Sequence, residues 1–256
     1  CGESVVRLKS IASCRKVNFA QFQAITTSPE ATATYTPVPF HELLANTQCI
    51  ADKILGYEGW EFDQRQIGLA KKDERMFAVL RYKKKNEDHD VFDYKHDDIG
   101  FSLGLRSSHD KSMSNGFCAG AQVFICDNLM FTGDITYMRK HTKNVESDLE
   151  QNILQILYNS QDKFKKLTVD RLTMMDEDIT KQRAYQLLGE LMGNKVLLPR
   201  QAKKAYDHWD KPPHVEFEPN TVWSFYNACT EALKSTQPTK IIEKHIQLHD
   251  FTMVNC

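Results

Sequence analysis

The chain carries no excess of charge of either sign: 33 Lys and Arg face 34 Asp and Glu in 256 residues, a formal net charge of -1. A near-neutral surface does not draw in nucleic acid by bulk attraction, so any phosphate binding requires a local basic patch. No two of the cysteines, at 1, 14, 49, 118, 126, 229 and 256, stand two to four residues apart. An odd count without a Cys-x-x-Cys pair disfavours a structural zinc site and a disulfide frame, and points to reduced thiols in a cytoplasmic setting. No apolar run approaches the roughly 20 residues of a membrane span, and the first residues lack the apolar core of a secretory signal. A Walker loop, a G-x-G-x-x-G after a strand, a G-x-S-x-G elbow and H-E-x-x-H are all missing; "HELLA" at 41 has no second His. These absences rank ATP-driven work, dinucleotide redox chemistry and zincin chemistry low. Residue 1 is Cys rather than Met. A processed N-terminal nucleophile and a trimmed start both fit this, and the trimmed start is the expected one.

What is present suits a packed core, since 41% of residues are hydrophobic. After a Pro- and Thr-rich connector, "FHELLANTQCIADKILGY" places Leu43, Leu44, Ile50, Ile54 and Leu55 on one helical face. The period then changes to alternation. "WEFDQRQIGLAKKD" and "RMFAVLRYKKKN" predict two antiparallel strands around a Lys72-Asp73-Glu74 turn, and "IGFSLGLRSSHD" and "GFCAGAQVFICDNL" predict two more. "FTGDITYMRKH" predicts a further short strand. From Asn144 onward the pattern is helical, with helices expected from 144, over 173–192, 199–209 and 219–234. The predicted fold is α+β: a curved antiparallel β-sheet of about 4–6 strands, covered on one side by a C-terminal run of helices. Residues 1–143 hold the N-terminal segment, helix and sheet; 144–256 hold the helical part, expected on the same core as a single domain.

Two groups of residues invite chemistry. Ser108-His109-Asp110 contains triad residue types, but neighbours on a strand face opposite ways, and Ser and Asp also close turns; the turn is favoured. A hydrolytic site would have to combine His109, Asp110, Cys126, Asn128 and His141, with Cys126 as thiol nucleophile or the oxygen and imidazole ligands around a metal. Cysteine is among the most buried residue types, so packing is favoured for Cys126. The second group is basic: Arg139, Lys140, His141 and Lys143, with Tyr137 and Thr142, lie just ahead of a helix start. Cations there sit well only if the site grips an anion.

The ordered set "YTPVPFHELL", "SSHDKSMSNGFCAGAQVFICDNLMF…YMRKHT" and "VWSFYNACTEALK" resembles the phage- and plasmid-associated domain of unknown function 932 family over roughly residues 35 to 250. The likeness rests on Tyr35 and Pro37, on Ser108-His109-Asp110-Lys111-Ser112, on Cys126-x-Asn128, on Arg139-x-His141-Thr142, and on Trp223, Tyr226, Thr230, Glu231 and Lys234. Ser107 and Lys111 stand where the family carries Asn and Gly, and Gln122 where a strand Arg is usual. Tyr replaces His at the 109 position in relatives, which argues against a catalytic His109. The resemblance implies residence on mobile elements and a role in DNA metabolism, recombination or a contest with the host.

The expected function is therefore non-catalytic binding of single-stranded DNA or RNA, with Arg139, Lys140, His141, Thr142 and Lys143 on phosphates and Tyr137 stacking on a base. The alternatives are the metal- or Cys-dependent hydrolase and an inhibitor that binds a host protein through the acidic loop 86–98. No cofactor is expected; a homo-oligomer fits each reading.

Overall fold

The alternating segments pair in the order in which they occur. The computed structural model describes residues 14–25, 28–85, 99–123, 128–139, 145–218, 220–237 and 240–255. Six strands, β1 (Arg15–Lys16), β2 (Trp60–Ala70), β3 (Arg75–Lys84), β4 (Ile99–Ser108), β5 (Asn115–Val123) and β6 (Asn128–Arg139), form one antiparallel sheet in the order β1-β2-β3-β4-β5-β6. The turn between β2 and β3 runs through Lys71, Lys72 and Asp73, all with positive φ. Successive side chains on a strand face opposite ways, so register fixes two rows. Ile67, Ala78, Leu105 and Phe117 align across four strands on one face, while Val79, Gly104 and Cys118 align on the other.

The first face is the main core. Helix α2 (Phe40–Tyr57) lays Leu43, Leu44, Ala51 and Leu55 against it, following the short α1 (Phe19–Gln23). Helix α3 (Val145–Asp176) adds Ile153, Ile156 and Leu157 to the same cluster and then carries Leu167 and Met174 into a second one. Phe164 touches both clusters. The second cluster gathers helices α4 (Lys181–Gly193), α5 (Pro199–Asp210) and α6 (Val222–Leu233). Helix α6 is buried at almost every position, from Val222 to Thr230 and again at Ala232 and Leu233.

The α+β class, the antiparallel sheet and the C-terminal helices are as the sequence predicts. The one-sided sheet is not. Helix α7 (Ile241–Asn255), for which the sequence reading had no element, packs Ile241 and Ile242 against Val79 and Cys118 on the second face. Its buried side includes His245, His249 and Thr252, which interrupt the apolar stripe that would have marked it. The helix expected over 173–192 is two: α3 runs to Asp176, and α4 starts anew where the Thr180 hydroxyl accepts from the Arg183 N–H at 3.2 Å. Helix α6 is capped by Thr221 rather than Asn220. Of the strand expected from Gly116 to Leu129, β5 covers Asn115–Val123 and β6 begins at Asn128, while residues 124–127 lie outside the described residues. Of the expected glycine bulges, one irregularity falls between Cys118 and Gly120. Among the described residues, no helix is long and apolar enough to cross a membrane.

Candidate anion site at the hairpin end of the sheet

Antiparallel register brings two arginines to one end of the sheet. Arg75, the first residue of β3, pairs with Ser108, and Arg106 of β4 pairs with Phe77. Odd positions of β3 and even positions of β4 share a face, so Arg75 and Arg106 stand on the side of Val79 and Cys118. The β4–β5 connection closes this end. Ser108 Oγ donates to the Met113 carbonyl and accepts from the Met113 N–H, each at 3.0 Å. Below it, Ser107 Oγ donates to Asn115 Oδ1 at 2.6 Å. Asp110 accepts from the Ser112 N–H at 3.0 Å and from the Ser112 hydroxyl. The favoured turn reading of Ser108-His109-Asp110 thus describes its geometry.

The turn fixes the arginines. Arg75 Nε donates to Asp110 Oδ2 at 2.7 Å. Arg106 Nη1 donates to Glu243 Oε1, from the first turn of α7, at 3.0 Å. Arg75, Arg106, Ser112, Met113 and Ser114 line a cavity of about 410 Å³. Burial works to raise the Asp110 carboxyl, but the Ser112 hydroxyl and amide and the Arg75 guanidinium overcome it and hold the group below its ordinary value. Two guanidinium forks and the hairpin's serines around an open cleft suit a phosphate or another oxyanion, which takes paired charge-assisted hydrogen bonds.

His109 has a different task. Its ring stacks on Phe40 with centroids 3.8 Å apart and planes within 12°. Nε2 donates to the Val38 carbonyl at 3.0 Å, and the backbone N–H donates to the Glu74 carbonyl at 2.8 Å. Burial pushes the ring below its ordinary pKa, against the Val38 carbonyl and Glu74. The carbonyl of His109 accepts from the Tyr35 hydroxyl at 3.3 Å. Asp110 is turned to Arg75, so the two residues do not act on each other.

Of the other sequence-selected residues, Cys126, Lys140, His141, Thr142 and Lys143 lie outside the described residues, as does loop 86–98. The backbone of β6 places Asn128 opposite Val123, Tyr137 opposite Phe117 and Arg139 opposite Asn115. Those positions of Tyr137 and Arg139 belong to the rows of Phe117 and Asn115, whereas Arg106 registers with Gly116 on the alternate row. Arg139 arrives one residue from the cavity-lining Ser114 along the neighbouring strand, at the same end of the sheet. Sequence reading missed Arg75, Arg106 and Glu243. The usable signal was an arginine set inside or at the end of a strongly apolar strand, where a solvated lysine would be unremarkable. Among the described residues, no three His, Cys, Asp or Glu side chains stand together as metal ligands.

The segments that carried the family resemblance meet in space: Tyr35, Val38 and Phe40 all contact His109. The family model described as domain of unknown function DUF932 matches residues 30–251. The chain belongs to this family. Comparison with curated proteins and with solved structures finds no match.

Within this DUF932 chain the motif residues divide by role. A Tyr at position 109 would keep an aromatic ring where His109 stacks on Phe40. Trp223, Tyr226 and Thr230 are buried in α6, and Glu231 sits between Lys204 at 3.2 Å and Lys234 at 2.5 Å. Burial raises the Glu231 carboxyl, but the two lysines outweigh it and hold the group below its ordinary value. Lys111 has φ 61°, the left-handed region that a Gly occupies without a Cβ clash, and its Nζ lies 4.5 Å from the Tyr35 ring centroid. Lys111→Gly relieves the backbone and loses the ring contact. The expected net gain is about 0.5 kcal/mol, a Tm rise of about 1–2 °C in thermal unfolding. A fall in Tm would show that the Tyr35 contact outweighs the backbone.

Proposed function

We propose that this chain binds single-stranded nucleic acid through phosphate, without catalysing a reaction on it, as an accessory of DNA metabolism or recombination on a mobile element. The supporting observation is the cavity flanked by Arg75 and Arg106 at the hairpin end of the sheet. An overall net charge of -1 leaves non-specific attraction weak, so affinity must come from such localised contacts. The strand β6 reaches Arg139 at the same end, and 140–143 with their further basic residues follow in sequence. The hydrolase reading is less well supported, because His109 Nε2 is committed to the Val38 carbonyl and the Asp110 carboxylate to Arg75 and Ser112.

The test is fluorescence polarisation with a labelled single-stranded oligonucleotide and its duplex at two salt concentrations. Single-strand binding that weakens as salt rises is expected. Arg75→Gln together with Arg106→Gln should lose about 100-fold in affinity, as two charge-assisted contacts would. Arg75→Lys with Arg106→Lys keeps the charge and should recover only part of it, because an ammonium cannot replace the planar fork. Arg139→Ala with Lys143→Ala should weaken binding and flatten its salt dependence. Unchanged affinity in both the Gln pair and the Ala pair, with circular dichroism showing native fold, would overturn the reading.

A further inference from the structure

The two cavity arginines are each held by a carboxylate, and the two carboxylates are held very differently. Asp110 is fastened into its own turn by the Ser112 amide and hydroxyl as well as by Arg75, and its side chain is 17% exposed. Glu243 reaches Arg106 from across the sheet face with its side chain 47% exposed, while Arg106 is 11% exposed. Among the described residues, the Glu243 carboxylate accepts its one hydrogen bond from Arg106. Its backbone is anchored independently, because Ile241 and Ile242 of the same turn pack on Val79 and Cys118. Releasing the Glu243 side chain into water therefore costs one ion pair, half-exposed on the Glu243 side, and no core contact, whereas releasing Asp110 would undo the turn.

We propose that Glu243 is an internal competitor for the anion site: it occupies Arg106 in the free protein and is displaced when a phosphate enters, while Asp110 stays in place and orients Arg75. The inference rests on the reading of the cavity as a phosphate seat and adds how that seat is regulated. A carboxylate is monoanionic and reaches Arg106 with one oxygen at 3.0 Å. A phosphate offers more oxygens and more charge, and can span both arginines, which one carboxylate on α7 does not. Glu243 thus sets a threshold that passes phosphate and rejects weaker oxyanions such as free carboxylates.

A double-mutant cycle tests this in the full chain, with Glu243→Gln and Arg106→Gln measured singly and together against the labelled single-stranded oligonucleotide. Glu243→Gln should tighten binding about fivefold in the native background, the factor that a half-exposed ion pair supports. In the Arg106→Gln background the same substitution should change nothing, because its effect passes through Arg106. Inorganic phosphate and acetate serve as competitors: phosphate should displace the oligonucleotide from both chains, and acetate should compete better against Glu243→Gln than against the native protein. An equal gain in both backgrounds would mean general charge repulsion and would overturn the proposal, as would no gain in the native background. Failure of the native chain and of Glu243→Gln to bind oligonucleotide at all would instead remove the phosphate seat itself. Glu243 is a surface partner, so the variant is expected to keep its Tm within about 1–2 °C of the native chain.

Discussion

Trp223→Ala should destabilise the protein by about 3–5 kcal/mol, the range for emptying the volume of a large buried aromatic. The indole is 2% exposed, stacks on Tyr226 with planes within 12°, and has the Arg171 guanidinium carbon 5.6 Å from its ring centroid. It belongs to α6, the most deeply buried helix, so neighbours on α3 cannot close the gap without moving a sheet-bound element. Among the described residues the Nε1–H has no hydrogen-bond partner, so Trp223→Phe removes no hydrogen bond seen there and should cost well under half as much. Urea unfolding followed by circular dichroism measures both. The result also decides what the Trp, Tyr, Thr, Glu and Lys of this family motif are for. A large stability loss with oligonucleotide affinity retained by the folded fraction marks them as core. Lost binding at full stability would move the functional site to α6.

His249→Ala should cost about 3 kcal/mol or more, because it leaves the Asp170 carboxylate buried without its partner. His249 Nε2 lies 3.1 Å from Asp170 Oδ2, joining α7 to α3, and both side chains are under a tenth exposed. His249→Gln keeps an amide donor and should recover part of the loss. Burial depresses the His249 pKa, against the pull of Asp170. The sign follows from linkage. Above the unfolded-state value of about 6.5 the ring is neutral in both states and nothing is lost. As pH falls below that value, the unfolded chain takes up a proton that the folded chain refuses, and stability declines until the folded pKa is passed. His109 and His208 are depressed in the same direction, chiefly by burial. Native protein should therefore lose urea resistance as pH falls below about 6.5, and His249→Gln should show a shallower loss relative to its own neutral-pH value. Identical slopes would show that His249 is not the residue responsible.

How much of this was visible in the chain depends on the range of the interaction. Alternation over 60–84 and 99–108 and the apolar stripe of 43–55 are local signals, and they placed β2, β3, β4 and α2 within a residue or two. Ser108-His109-Asp110 was legible as a turn because Asp and Ser bond their own backbone. The anion site was not legible. Arg75 and Arg106 are 31 residues apart in number and become neighbours only through the β3–β4 register, and Glu243 joins them from the other end of the chain. No periodicity links those three positions. The basic run at 139–143 drew attention because its charges are contiguous, whereas the described cavity is made by charges dispersed in sequence and gathered by pairing. Helix α7 escaped notice for a related reason: polar residues on its buried side satisfy partners that only tertiary structure supplies, as His249 does with Asp170.

The sequential strand order has a kinetic meaning. From β2 to β6 every strand pairs with its immediate successor, so the sheet grows by closing one loop at a time, at an entropic penalty that rises only slowly with loop length. Such a meander can accrete in step with synthesis, hairpin by hairpin, with α3 sealing the first face as soon as it emerges. The second face waits longer. Val79, Cys118 and Arg106 stay bare on a nascent sheet until α7 has been made, and this late-covered surface is where a translating chain is most exposed to mispairing with its neighbours.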